Sequence, residues 1–133
     1  MAVRREAQLW LLTAKEDLED AKEALERSRY FRAAFFAQQA AEKALKALFY
    51  SFGSDHPPPI HSVTELYTLL RERGFTLPQE LESQLFVLNK YYTVTRYPDA
   101  ASGLPSESVD KLEAERAVSL AGMVVDVAEK HSK

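Results

Sequence analysis

Between Tyr30 and Phe52 the chain is apolar on almost every side. Ala33, Ala37, Ala40, Ala44 and Ala47 step by four and three, the spacing that lines one face of a helix. Phe35, Phe36, Leu45, Leu48, Phe49 and Phe52 add bulk on other sides, and an alanine column lets a second helix approach closely. The remaining stripe is Gln39, Glu42, Lys43 and Lys46, which share one face and form the surface the pattern leaves to water. A helix apolar nearly all round must be enclosed by neighbours. The pattern therefore predicts a central post within a helical bundle.

The flanking segments supply the neighbours. Ala7, Leu11, Ala14, Leu18, Ala21 and Leu25 form a seam on a helix from about Arg4 to Arg27, with Trp10 widening it and a charged face opposite. Ser28 and Arg29 mark a short break. Gly53 ends the second helix, and the prolines of Ser54–Pro59 forbid its continuation. Ser62 with Glu65 has the form of a capping box ahead of Val63, Leu66, Tyr67 and Leu70, and the third helix stops at Gly74. Thr76 with Gln79 repeats the pattern, Pro78 suits a first turn, and a fourth helix with Leu81, Leu85 and Leu88 inward reaches about Tyr97, where Pro98 ends it. Ser106 or Ser108 caps a fifth helix with Val109, Leu112, Ala117, Leu120, Val124 and Val127 inward and Gly122 as a point of close approach. No run alternates with strand period for long enough to compete, so the fold class is all-α, a bundle of about five helices.

A chain of 133 residues suits one domain over 1–133 and buries a core without staples, and it has no cysteine to make them. The net charge of −3, with both signs well mixed, argues against bulk-charge gripping of nucleic acid but leaves room for a local phosphate site. The N-terminus lacks the apolar run of a signal peptide, and Gln38, Gln39, Glu42, Lys43 and Lys46 interrupt the best candidate for a membrane span, which needs about 18 apolar residues. The expectation is a cytoplasmic protein. His56, His61 and His131 show no helical metal-ligand spacing, no glycine-rich loop cradles phosphate, and no metal or cofactor is implied. For His61 the plainer role is a bond to the backbone at the start of the third helix.

Two places can carry chemistry. The densest polar and aromatic run is Asn89-Lys-Tyr-Tyr-Thr-Val-Thr-Arg-Tyr-Pro-Asp99, in which Asn89, Tyr92 and Arg96 share one helical side. Arg96 either offsets the helix dipole and pairs with Asp99, or offers a planar guanidinium to phosphate beside Tyr91, Tyr92 and Tyr97. The stripe of the second helix is either surface decoration, with Glu42 and Lys46 as an ordinary pair one turn apart, or half of an anion site that Lys43, Lys46 and Arg96 would complete.

Tyr30 to Leu48, with Gln-Gln-Ala-Ala-Glu-Lys-Ala-Leu-Lys at 38–46, resembles the second helix of the HEPN (higher eukaryotes and prokaryotes nucleotide-binding) domain. His61-Ser62-Val63 is similar to that family's third-helix start, and Tyr91 to Asp99 to its fourth-helix ending. The resemblance covers nearly the whole chain. It implies an up-and-down helical bundle that commonly dimerises, in a bacterial or archaeal protein often encoded beside a minimal nucleotidyltransferase in systems resembling toxin–antitoxin pairs. It implies a nucleotide-contacting surface at Gln39, Lys43, Lys46, Tyr92, Arg96, Tyr97 and Asp99.

One departure bears on activity. HEPN proteins that cut RNA often carry an arginine followed, about four to six residues later, by a histidine, and no arginine here precedes a histidine at that spacing. Ribonuclease activity would thus lack its usual acid–base group. The leading expectation is a non-catalytic nucleotide- or partner-binding homodimer that works with a nucleotidyltransferase. The alternatives are an RNA-cleaving toxin using Arg96 with Tyr97 or His61, and a purely structural dimerisation module.

Overall fold

The computed structural model describes residues 2–94 and 103–131, and among these there is no strand. The described residues form six α-helical segments: α1 (Ala2–Glu26), α2 (Tyr30–Ser51), α3 (Val63–Glu72), α4 (Gln79–Glu82), α5 (Lys90–Val94) and α6 (Lys111–His131). Two 3-10 turns, Leu85–Asn89 and Pro105–Glu107, lie between them. The post is where the sequence pattern puts it: α2 contacts α1, α3, α5 and α6. Ala33, Ala37, Ala40 and Ala44 are wholly buried, as are Ala14 and Ala21 of α1 and Ala114, Ala117 and Ala121 of α6. Small residues at these contacts let three long helices pack closely, and leucines, valines and Phe49 fill the space between them.

The helix ends follow local chemistry. α1 closes in a Schellman motif: Ser28 has a φ of 60°, its amide bonds the Leu25 carbonyl at 3.0 Å, and the Arg29 amide reaches the Ala24 carbonyl at 2.8 Å. Gly53, with a φ of 94°, ends α2 in the same way, the Ser54 amide reaching Phe49 O at 3.0 Å. Ser62 caps α3, its hydroxyl accepting from the Glu65 amide at 3.1 Å. The proline loop carries the chain back along α2, because Gln38 bonds the His61 carbonyl while Arg73, past the end of α3, bonds Phe52 O. Hence α3 runs in the same sense as α2.

The fourth helix differs from the expectation of a continuous rod. Pro78 occupies the N-cap without a capping side chain, so Thr76 does not form a second capping box, and the α-turn stops at Glu82. Ser83 Oγ and Gln84 Nε2 both donate to the Glu80 carbonyl, at 3.2 and 3.1 Å, the acceptor that a continuing α-helix would give to the Gln84 amide. That amide turns to Leu81 O instead, at 3.1 Å, and a 3-10 turn follows. Leu85, Leu88 and Tyr91 are buried at intervals of three, the period of that helix type.

α6 also departs in detail. Its cap is Asp110 rather than Ser106 or Ser108, with Asp110 Oδ1 accepting from the Glu113 amide at 2.8 Å. Leu112, expected inward, is 75% exposed, since it lies on the face of α6 that Arg116, Ser119 and Met123 also turn to solvent. Gly122 meets nothing within 4 Å of an added Cβ, so it is not a close-approach point. No helix among the described residues is long and apolar enough to cross a membrane.

Candidate functional site

Helix α2 brings Gln38, Glu42 and Lys46 onto one line, one turn apart, and the fold then covers them. Gln38, Glu42 and Lys46 are 0%, 3% and 5% exposed, so Glu42 and Lys46 of the stripe expected to face water are interior, while its Gln39 and Lys43 are half-buried. The reason is steric. α1 lies over one edge, with Trp10 placed 5.5 Å from Lys46 Nζ and Asp17 accepting from Lys43 Nζ at 2.7 Å. The segment entering α3 lies over the other edge through His61.

Glu42 is the hub. Its Oε1 accepts from Gln38 Nε2 at 3.0 Å, and its Oε2 accepts from Lys46 Nζ and faces His61 Nδ1, each at 3.1 Å. Gln38 Nε2 also donates to the His61 carbonyl at 3.1 Å, while Gln38 Oε1 accepts from Gln39 Nε2 at 2.7 Å. No buried side-chain polar atom among the described residues lacks a partner. Against an ionised carboxylate Nδ1 must be the donor, so neutral His61 presents Nε2 as its acceptor. The imidazole side chain is 53% exposed and lies flat on Tyr92, with centroids 4.7 Å apart and planes inclined by 11°.

Asn89 fixes the segment that carries His61. Its Oδ1 accepts from the Val63 amide at 2.7 Å and its Nδ2 donates to Thr64 Oγ1 at 2.6 Å. It thereby ties the start of α3 to the turn that leads into α5 and Tyr92. Tyr91, on the other side of α5, is buried with its hydroxyl 3.3 Å from Glu113 Oε2. Burial, reinforced by the Glu113 charge, pushes that phenol up to about 12.

Of the residues singled out in the sequence, Gln39, Lys43, Lys46 and Tyr92 thus stand around one polar cluster. Lys43 and Lys46 each hold a carboxylate, that of Asp17 and of Glu42. Arg96, Tyr97 and Asp99 lie outside the described residues. Sequence reasoning missed Gln38 and the Glu42–His61 pair. The signal for Gln38 was its place one turn before Glu42 and two before Lys46, whereas a contact across 19 residues leaves no local trace. No group of three or more potential metal ligands forms among the described residues.

The HEPN domain profile matches residues 7–131. The chain belongs to the HEPN family. It is 38% identical to TT1696 from Thermus thermophilus, with a TM-score of 0.84, over 94% of this chain and 97% of that one. An archaeal HEPN homologue is 29% identical with a TM-score of 0.77, over 96% and 98% of the two chains. An HEPN domain protein from Thermotoga maritima is 33% identical with a TM-score of 0.65, over 91% and 94%. No curated protein matches the chain.

Proposed function

We propose that this chain is a nucleotide-binding HEPN module that acts as one cytoplasmic domain, dimerises, and works with a minimal nucleotidyltransferase in a system of the toxin–antitoxin kind. The observation that carries the reading is the His61–Tyr92 stack, two parallel rings at the surface, one of them bonded to a buried carboxylate. Such a pair holds a planar base against a rigid support, and the chain leads directly from Tyr92 to Arg96, Tyr97 and Asp99, which suit phosphate and ribose. Thermal unfolding with ATP, GTP, CTP and UTP tests it. Ligand at 100 times its Kd raises stability by about 2.7 kcal/mol. A shift abolished in Tyr92→Ala and Arg96→Ala is the expected result; no shift with any nucleotide, or an equal shift in both variants, overturns the reading.

A second reading rests on the Glu42–His61 bond. A histidine oriented by a carboxylate at Nδ1 can take a proton at Nε2, which is the group an RNA-cleaving activity would otherwise lack. Cleavage of total RNA by the purified protein, abolished in His61→Ala and retained in Arg71→Ala, supports it; intact RNA rules it out.

A further inference from the structure

The turn between α1 and α2 holds a second polar surface, separate from the His61 cluster. A cleft of about 410 Å³ opens there, lined by Asp20, Glu23 and Arg27 along the end of α1 and by Arg29, Arg32 and Phe36 at the start of α2. All three arginines are exposed, and none makes an ion pair or side-chain hydrogen bond among the described residues. Other cations of the chain do pair with carboxylates, as at Lys15–Glu129, Lys43–Asp17 and Lys90–Glu113. Here two carboxylates line the same cleft, yet the guanidinium groups bond neither of them.

Aromatic rings accompany the arginines. The Arg32 guanidinium lies 5.2 Å from the centroid of Phe31, and Phe36 meets Phe35 edge-on at 5.6 Å. Phe31 and Phe36 are only partly buried. A guanidinium stacked on a ring keeps its in-plane N–H donors free for phosphate oxygens. A partly exposed ring beside free guanidinium groups matches the way proteins hold unpaired nucleic-acid strands, with phosphates on cations and bases on ring faces.

We propose that the α1–α2 turn binds the backbone of a single-stranded nucleic acid, with Arg27, Arg29 and Arg32 on successive phosphates and a base against Phe36. A single strand fits better than a duplex for two reasons. The ring needs an unstacked base, and the carboxylates of Asp20 and Glu23 in the same cleft would repel the second phosphate backbone of a duplex. The charge is local, so the net charge of −3 does not oppose it beyond the screening length.

The test is fluorescence anisotropy of the full chain with labelled oligo(U) and oligo(dT) of roughly 12 nucleotides, inside the usual span of single-strand sites, and with a hairpin duplex. Three phosphate contacts give a slope of log K against log salt near −2, and each single Arg→Ala substitution reduces its magnitude by about 0.7. Phe36→Leu weakens binding without changing that slope, and Glu23→Gln tightens it. All these positions except Phe36 are exposed, so circular dichroism is expected to match the parent chain, and the Glu23→Gln gain keeps the test informative if Phe36→Leu unfolds. Equal binding of oligo(U) and oligo(dT) marks a backbone site, and a preference for oligo(U) adds a contact to the ribose hydroxyl. Stronger binding of the duplex, a slope unchanged in the arginine variants, or binding of an acidic peptide but of no oligonucleotide overturns the proposal. The triple arginine variant retains any nucleotide-induced thermal shift that depends on Tyr92, so failure here is distinguishable from failure at the His61 cluster.

Discussion

Lys46 sits one turn beyond Glu42 and holds its carboxylate at 3.1 Å, with both side chains withdrawn from water. Removing two charges from water costs several kcal/mol per ion, and direct attraction repays it only where other bonds assist. Here Gln38, His61 and the Trp10 ring assist. Lys46→Met leaves the carboxylate without its cation and should lower the unfolding free energy by about 3–5 kcal/mol. Adding Glu42→Leu to that variant should recover part of the loss, since no charge then remains buried. Urea unfolding of the two variants measures the difference. A double variant no more stable than Lys46→Met would show that the ion pair is not the source of the cost.

Asn89 ties the start of α3 to the α5 turn. In Asn89→Ala the Val63 amide loses its acceptor, a cost of about 1–3 kcal/mol for a buried donor. Asn89→Asp keeps an oxygen for that amide and should recover most of the stability. A nucleotide-induced thermal shift should weaken in the alanine variant, because His61 lies two residues before Val63. Equal stability of the two variants would remove this role from Asn89.

Alkaline pH should act through Tyr91. Its folded-state value of about 12 lies above the ordinary value of 10 because burial, aided by Glu113, disfavours the phenolate. A raised value stabilises the fold fully below pH 10, and that contribution declines as the pH climbs toward 12. The loss amounts to at most about 2–3 kcal/mol from a shift of this size. Burial also raises Tyr50 and Tyr67, so unfolding followed between neutral pH and pH 12 should show a step that Tyr91→Phe reduces, and ultraviolet titration should show one late-ionising phenol fewer in that variant.

The sequence pattern carried the long helices because burial there follows a simple period. The alanine column of α2 and the seam of α1 are interior as expected. The pattern misled where polar groups pair across distant segments. Glu42 and Lys46 look exposed on a helical wheel, yet Trp10, from α1, and His61, from the loop before α3, close over them. The fourth helix broke for a reason present in the sequence but easily outweighed in reading it: Ser83 and Gln84 compete with the backbone for one carbonyl. The cap on Asp110 was equally present, one position before the α6 helix begins. Of the candidate site, Tyr92 was legible as part of an aromatic run, whereas its partner His61 was not, because stacking across 31 positions depends on the tertiary fold.

The Ser28 backbone offers the last prediction. Its φ of 60° lies in the left-handed region, where a side chain costs roughly 1 kcal/mol or more that glycine avoids. The conformation goes with the Schellman bonds to Leu25 and Ala24, which turn α1 into α2 across residues 27–29. Ser28→Gly removes the steric cost but adds freedom to the unfolded chain, which offsets about half of the gain. The net expectation is a stabilisation of a few tenths to about 1 kcal/mol, whereas Ser28→Val, branched at Cβ, should destabilise by more than that. Thermal unfolding of both variants decides the sign. Because the same turn sets the spacing of Arg27 and Arg29, Ser28→Gly should leave oligonucleotide affinity and its salt slope unchanged, while Ser28→Val, which strains the turn, should lower the affinity. Stabilisation by valine would mean that the turn adopts another conformation in solution, and the arginine spacing would change with it.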